Sequence, residues 1–124
     1  MRLVFRDYPI EQLHPGATQA HAAGRCASEQ GKFWPYHDAL YAKAPVRPDQ
    51  FGQIAQDVKL DLPAFQQCLA GNAYEAEIRK DLEDGARAGV TGTPTFFING
   101  RPLIGAQPLD RFTQIIDDEL ARSR

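Results

Sequence analysis

Apolar positions along this chain recur at helical spacing through its middle and form short β-like runs near its two ends. Arg2 to Tyr8 is short, rich in β-forming residues and ended by Pro9, so a strand is expected there. His14-Pro15-Gly16 marks a loop, and the alanine-rich stretch from Ala17 to Gln30 predicts a helix that Gly31 breaks. Lys32 to Ala42 predicts a second helix, with Pro35 tolerated in its first turn. Phe33, Trp34, His37, Leu40 and Tyr41 recur three and four apart and give that helix an apolar face, with Phe33 and Trp34 read as core.

The prolines between Ala44 and Pro48 predict a linker, and Pro48 to Asp57 a short helix with Phe51, Ile54 and Ala55 inward. Asp61 is placed to cap a helix from Leu62 to Ala70, with Gly71 at its C-terminal end. In Ala73 to Ala88, Tyr74, Ile78, Leu82 and Ala86 fall four apart, and Gly89 closes that helix. Thr95–Ile98 and Arg101–Ile104 then flank Asn99-Gly100, the strongest short hairpin signal. A last helix is expected from about Pro108 to Ala121.

Composition narrows the function classes. A chain of 124 residues fits one domain, and 43% hydrophobic with 24% charged residues is ordinary for a globular protein. A net charge of −2 without a basic cluster argues against nucleic acid or an acidic membrane surface as partner. No apolar run approaches the roughly 20 residues that span a bilayer, so no membrane insertion is expected. No signal peptide precedes the first expected strand, and the compartment stays open.

The stretch Val90-Thr91-Gly92-Thr93-Pro94-Thr95-Phe96-Phe97-Ile98-Asn99-Gly100 places a proline at the start of an apolar strand, where its missing N–H is tolerated. It resembles the cis-proline segment of the DsbA-like thioredoxin-fold family. Arg6-Asp7-Tyr8-Pro9 with His14-Pro15, Cys26 through Trp34, Phe65-Gln66-Gln67-Cys68-Leu69 and Gly100 through Pro108 are also similar to that family. The likeness covers essentially the whole chain. It implies an α/β thioredoxin-like fold in a single domain, residues 1–124, with a helical insertion over about residues 16–88. The family's first strand and first helix, which carry its Cys-x-x-Cys pair, are expected to be absent, so that the chain is truncated at its N-terminus. The absent strand would lie between Arg2–Tyr8 and Thr95–Ile98, and the exposed sheet edges are expected to drive assembly into a homo-oligomer.

Candidate chemistry follows from the same likeness. Thr93 beside a cis Thr93–Pro94 bond is implied to pair its backbone with an extended peptide client, the strand-addition mode of recognition. Cys26 and Cys68, 42 positions apart, have three readings. A reactive thiol needs an exposed electropositive setting, and Arg25 is the one cationic neighbour in sequence. Two free buried thiols would act as small hydrophobes. The resemblance adds a structural disulfide inside the helical insertion.

No Cys-x-x-Cys supplies a catalytic pair. His14, His21 and His37 match no compact ligand motif, so no metal site is expected. Glu83-Asp84 and Asp117-Asp118-Glu119 read as solvated helix faces. No phosphate-binding glycine loop or nucleophile elbow is present, and no cofactor is implied.

The resemblance implies a thiol–disulfide oxidoreductase, of a family often found in the periplasm or otherwise outside the cytoplasm. Lacking Cys-x-x-Cys, the chain by itself is expected to be redox-inactive. The alternative is a non-catalytic peptide-binding or assembly protein of thioredoxin fold; a weaker one is the glutathione-dependent isomerase or transferase branch.

Overall fold

A computed structural model describes residues 1–123, which fall into two compact units, Met1–Asp84 and a second beginning at Gly85. The first unit is helical. It holds α1 (Ala17–Glu29), α2 (Phe33–Ala42), a 3-10 turn at Pro48–Gln50 that runs into α3 (Phe51–Asp57), α4 (Leu62–Ala70) and most of α5 (Glu75–Arg87).

In α1, Ala20, Ala23, Gly24 and Ala27 form a stripe of small residues at helical spacing. A Cβ on Gly24 would sit 3.4 Å from the Phe33 ring, so the missing side chain lets α2 come close. The core of this unit gathers Ala23, Cys26 and Ala27 with Tyr36 from α2, Phe51, Ile54 and Ala55 from α3, Leu60, and Phe65 from α4. Side chains close the helix ends. Asp61 Oδ1 accepts the Ala64 N–H (3.1 Å) as the N-cap of α4. Gln30 ties the end of α1 to that cap, accepting from the Asp61 N–H at 2.8 Å and donating to its C=O at 3.1 Å. Gly71 ends α4 in right-handed geometry, and Asn72 takes the left-handed turn instead (φ 49°).

Three expectations change here. Met1 to Ile10 forms no strand. A strand exists only through a ladder partner, and none pairs with this segment among the described residues. Side chains hold it instead, through Arg6 and Asp7. In α2, Trp34 is 42% exposed and Tyr41 71%, whereas Tyr36 is fully buried. Tyr36 wins the core position because its ring packs on Phe65 at 5.5 Å and its hydroxyl donates to the Phe51 carbonyl at 3.1 Å. Burial pushes that phenol well above its ordinary pKa, so it remains a donor. In α5 the buried positions are Ile78 and Asp81, with Leu82 half-buried and Ala86 exposed.

The second unit begins in the last turn of α5, which Gly89 closes at φ 89°. Strands β1 (Thr95–Ile98) and β2 (Arg101–Ile104) form an antiparallel hairpin, followed by α6 (Leu109–Arg122). Asn99 (φ 49°) and Gly100 (φ 85°) make the two-residue turn, both in the left-handed region that such a hairpin demands. The register pairs Thr95 with Ile104, Phe96 with Leu103, Phe97 with Pro102 and Ile98 with Arg101. Phe96 stacks edge-on against Phe112 of α6 (4.7 Å), and Leu103 and Ile115 are buried on that side. The opposite face carries Phe97, 47% exposed, and Ile104, 65% exposed. The acidic run of α6 is not wholly free in solvent, since Arg101 pairs with Asp118 (3.2 Å) and Glu119 (3.5 Å).

Candidate functional site

The open edge of β1 follows from hairpin geometry. A two-residue turn makes Ile98/Arg101 and Phe96/Leu103 the hydrogen-bonded pairs, and the Gly105 N–H continues the ladder to the Pro94 carbonyl at 2.8 Å. Phe97/Pro102 and Thr95/Ile104 are therefore the non-bonded pairs, which is why Pro102 fits in β2 without losing a ladder bond. By the same alternation, the N–H and C=O groups of Thr95 and Phe97 point away from β2. Among the described residues no strand lies on that side. Thr93 and Pro94 are exposed at the head of this edge, and the bond between them is cis. The Thr95 hydroxyl donates to the Gly92 carbonyl (2.7 Å) and pins the turn that leads into it.

Cys26 and Cys68 lie in the other unit, where a disulfide joins α1 to α4 (Cα–Cα 5.9 Å). Of the three readings the sequence left open, these two residues take the bonded one. Arg25, beside Cys26 in the chain, does not activate a thiol. Its guanidinium donates to Asp7 Oδ2 (2.7 Å), Asp81 Oδ2 (2.7 Å) and Glu77 Oε2 (3.2 Å).

These contacts belong to a charge cluster that pattern reading passed over. Asp7 (3% exposed) also meets His21 Nδ1 at 2.7 Å, and its N–H donates to Asp81 Oδ2 at 3.0 Å. Arg6 reaches Asp81 Oδ1 through its Nε (2.9 Å) and Asp84 through Nη2 (2.8 Å). Burial pushes the Asp81 carboxyl up, but the Arg6 and Asp7 hydrogen bonds and the charges of Arg6 and Arg25 outweigh it and hold it below the usual carboxylate range. The expected solvated pair Glu83-Asp84 is thus half engaged, since Asp84 also pairs with Lys80 (2.9 Å). The available signal was Asp81 itself, three residues after Ile78 on the buried side of α5.

The histidines are not gathered into a site. His14 is in the loop before α1, His21 is on Asp7, and His37 bonds Asp38 at 3.0 Å. Among the described residues no three His, Cys, Asp or Glu side chains are placed to hold a metal ion. Phe33, Trp34 and His37 pack around Phe5 with ring centroids 5.1 to 6.3 Å from it, and Tyr41 adds to His37. This aromatic group stands at the surface, the place where core was expected for Trp34.

Known proteins bear on these features. The chain matches the DSBA-like thioredoxin domain family over residues 2–117. It is 34% identical over 125 residues to the Na(+)/H(+) antiporter NhaA 3 of Salinispora tropica, covering all of this chain and 19% of that protein. It is 31% identical over 119 residues to the Na(+)/H(+) antiporter NhaA of Herminiimonas arsenicoxydans, covering 94% of this chain and 18% of that protein. The chain thus spans about a fifth of the length of these curated relatives. A solved thioredoxin-like oxidoreductase from Silicibacter pomeroyi superposes with a TM-score of 0.84 at 27% identity, over 98% of this chain and 69% of that one. The fold is thioredoxin-like, and the chain belongs to the DSBA-like thioredoxin domain family.

Proposed function

We propose that this chain supplies the peptide-pairing side of a DsbA-like thiol–disulfide oxidoreductase and performs no dithiol exchange by itself. The observation that carries this reading is the cis Thr93–Pro94 bond, exposed at the head of β1 just above the edge expected to take the family's absent strand. An extended client adds at Thr93 as a strand, main-chain bonds giving the affinity. Redox inactivity is supported by the cysteines. Both are spent in a disulfide that links two helices, and no Cys-x-x-Cys lies within the chain. Sodium–proton exchange is not carried over from the antiporter relatives, because the likeness concerns about a fifth of their length. No described helix is long and apolar enough to cross a membrane.

The test uses a short capped peptide of alternating valine and threonine, followed by amide chemical shifts. Shifts centred on Thr93, and lost when alternate peptide nitrogens are methylated, are expected. No shift at millimolar peptide, or equal shifts with the methylated peptide, overturns edge pairing. Insulin reduction faster than dithiothreitol alone overturns the redox-inactive part.

A second reading is assembly of copies through exposed apolar surface. It is favoured by Phe97 and Ile104 on the sheet and by Leu3 and Val4, 65% and 58% exposed, in a segment that has no ladder partner among the described residues. Light scattering at micromolar concentration decides it, a monomer ruling it out.

A further inference from the structure

The Cys26–Cys68 disulfide lies in an electrostatic setting opposite to that of a reactive cysteine. A thiol is activated by nearby cations and by exposure. Here the adjacent cation, Arg25, is shared among the carboxylates of Asp7, Glu77 and Asp81. The charge that touches the bond is negative, since Glu29 Oε2 lies 3.5 Å from Cys68 Sγ. A disulfide sulfur carries no proton, so this is a contact of a carboxylate with a bare sulfur and not a hydrogen bond. Tyr74 holds the carboxylate in place, its hydroxyl donating to the same Oε2 at 2.8 Å. That bond, then burial, push the Tyr74 phenol above its ordinary pKa and keep it a donor. The two sulfurs differ in access: Cys26 is 2% exposed, while Cys68 is only partly covered.

We propose that Glu29 guards this disulfide against attacking thiolates and so keeps it a structural staple rather than an exchangeable bond. Reduction must begin at Cys68. A reagent thiolate forms a bond to Cys68 Sγ, the Sγ–Sγ bond breaks, and its electron pair leaves on Cys26, which takes a proton from water. A second reagent thiolate then displaces Cys68, also released as a thiolate, and leaves the reagent oxidised to its disulfide. Two features oppose the first step. The incoming thiolate meets the Glu29 carboxylate beside its target, and the departing thiolate forms in an apolar interior that disfavours charge.

The experiment is the rate of reduction of the intact chain, trapped with iodoacetamide and read by mass. Glu29→Gln keeps an acceptor for Tyr74 and removes the charge. With anionic glutathione, Glu29→Gln is expected to react about fivefold faster than the native chain, the effect of one unit charge at about 4 Å in water. High salt should shrink that difference, as screening requires. With cysteamine, whose ammonium is drawn to Glu29, the acceleration should vanish or reverse. Tyr74→Phe, which keeps the charge, should stay within about twofold of the native rate with both reagents. Equal glutathione rates for Glu29→Gln and the native chain overturn the proposal. So does equal acceleration with glutathione and cysteamine, which would mean that the substitution had loosened the helices.

Discussion

Replacing Asp81 with Asn tests the charge cluster that binds the N-terminal segment to α1 and α5. Asp81 is 9% exposed and accepts from the Asp7 N–H, from Arg25 Nη2 at 2.7 Å and from Arg6 Nε at 2.9 Å. Asn keeps the shape, removes the charge and turns an N–H2 toward cationic donors. The buried Asp7 and Arg25 contacts contribute about 2–3 kcal/mol, taking charge-assisted hydrogen bonds at their usual strength. Arg6 is 53% exposed and adds less than about 1 kcal/mol. A loss near 3 kcal/mol at neutral pH is therefore expected. That corresponds to about 1.5 M in the urea midpoint at about 2 kcal/mol per molar.

The loss has a pH signature with a fixed sign. The native carboxyl is held below its unfolded value, so its contribution is fully present above about pH 4. It disappears as pH falls through the lowered native value. Urea unfolding of both proteins between neutral pH and the acid limit of folding should show two midpoints that differ at neutral pH and converge on acidification. A difference below about 1 kcal/mol at neutral pH, or one that stays constant with pH, would refute the argument.

Two further outcomes follow from the same structure. Replacing both Cys26 and Cys68 with Ala opens a loop across 42 positions and should cost about 4 kcal/mol, read as a lower urea midpoint in the variant without reductant. Trp34, the chain's one tryptophan, should be open to acrylamide quenching with solvent-exposed emission, whereas blue, protected emission would return it to the core.

Element boundaries were largely legible because they rest on local chemistry. Asp61 caps α4 where an N-cap aspartate was read, and the strands on either side of Asn99-Gly100 keep their expected ends. That turn needs only two residues able to take positive φ, which is a property of the residues themselves. The inward face of α3, with Phe51, Ile54 and Ala55, was equally plain because only one apolar stripe exists there. α2 has two. Phe33, Trp34, His37 and Tyr41 compete with Tyr36 and Ala39, Leu40 borders both stripes, and periodicity cannot choose between them. The choice falls to the Phe51 carbonyl and the Phe65 ring, which come from other helices.

The sequence by itself determined the helix order, the hairpin and its turn, all set by spacing, capping and turn residues within a few positions of one another, and its motif residues carried the family likeness. Tertiary structure alone decided which apolar stripe is buried and that Arg2–Tyr8 is held by ion pairs rather than by a ladder. It also decided that Asp81 outranks Leu82 in the buried face of α5 and that a carboxylate rather than Arg25 meets the disulfide. Each of these depends on groups far apart in sequence whose burial or charge changes when they meet. A buried aspartate is costly until two arginines arrive, and no local pattern records their arrival.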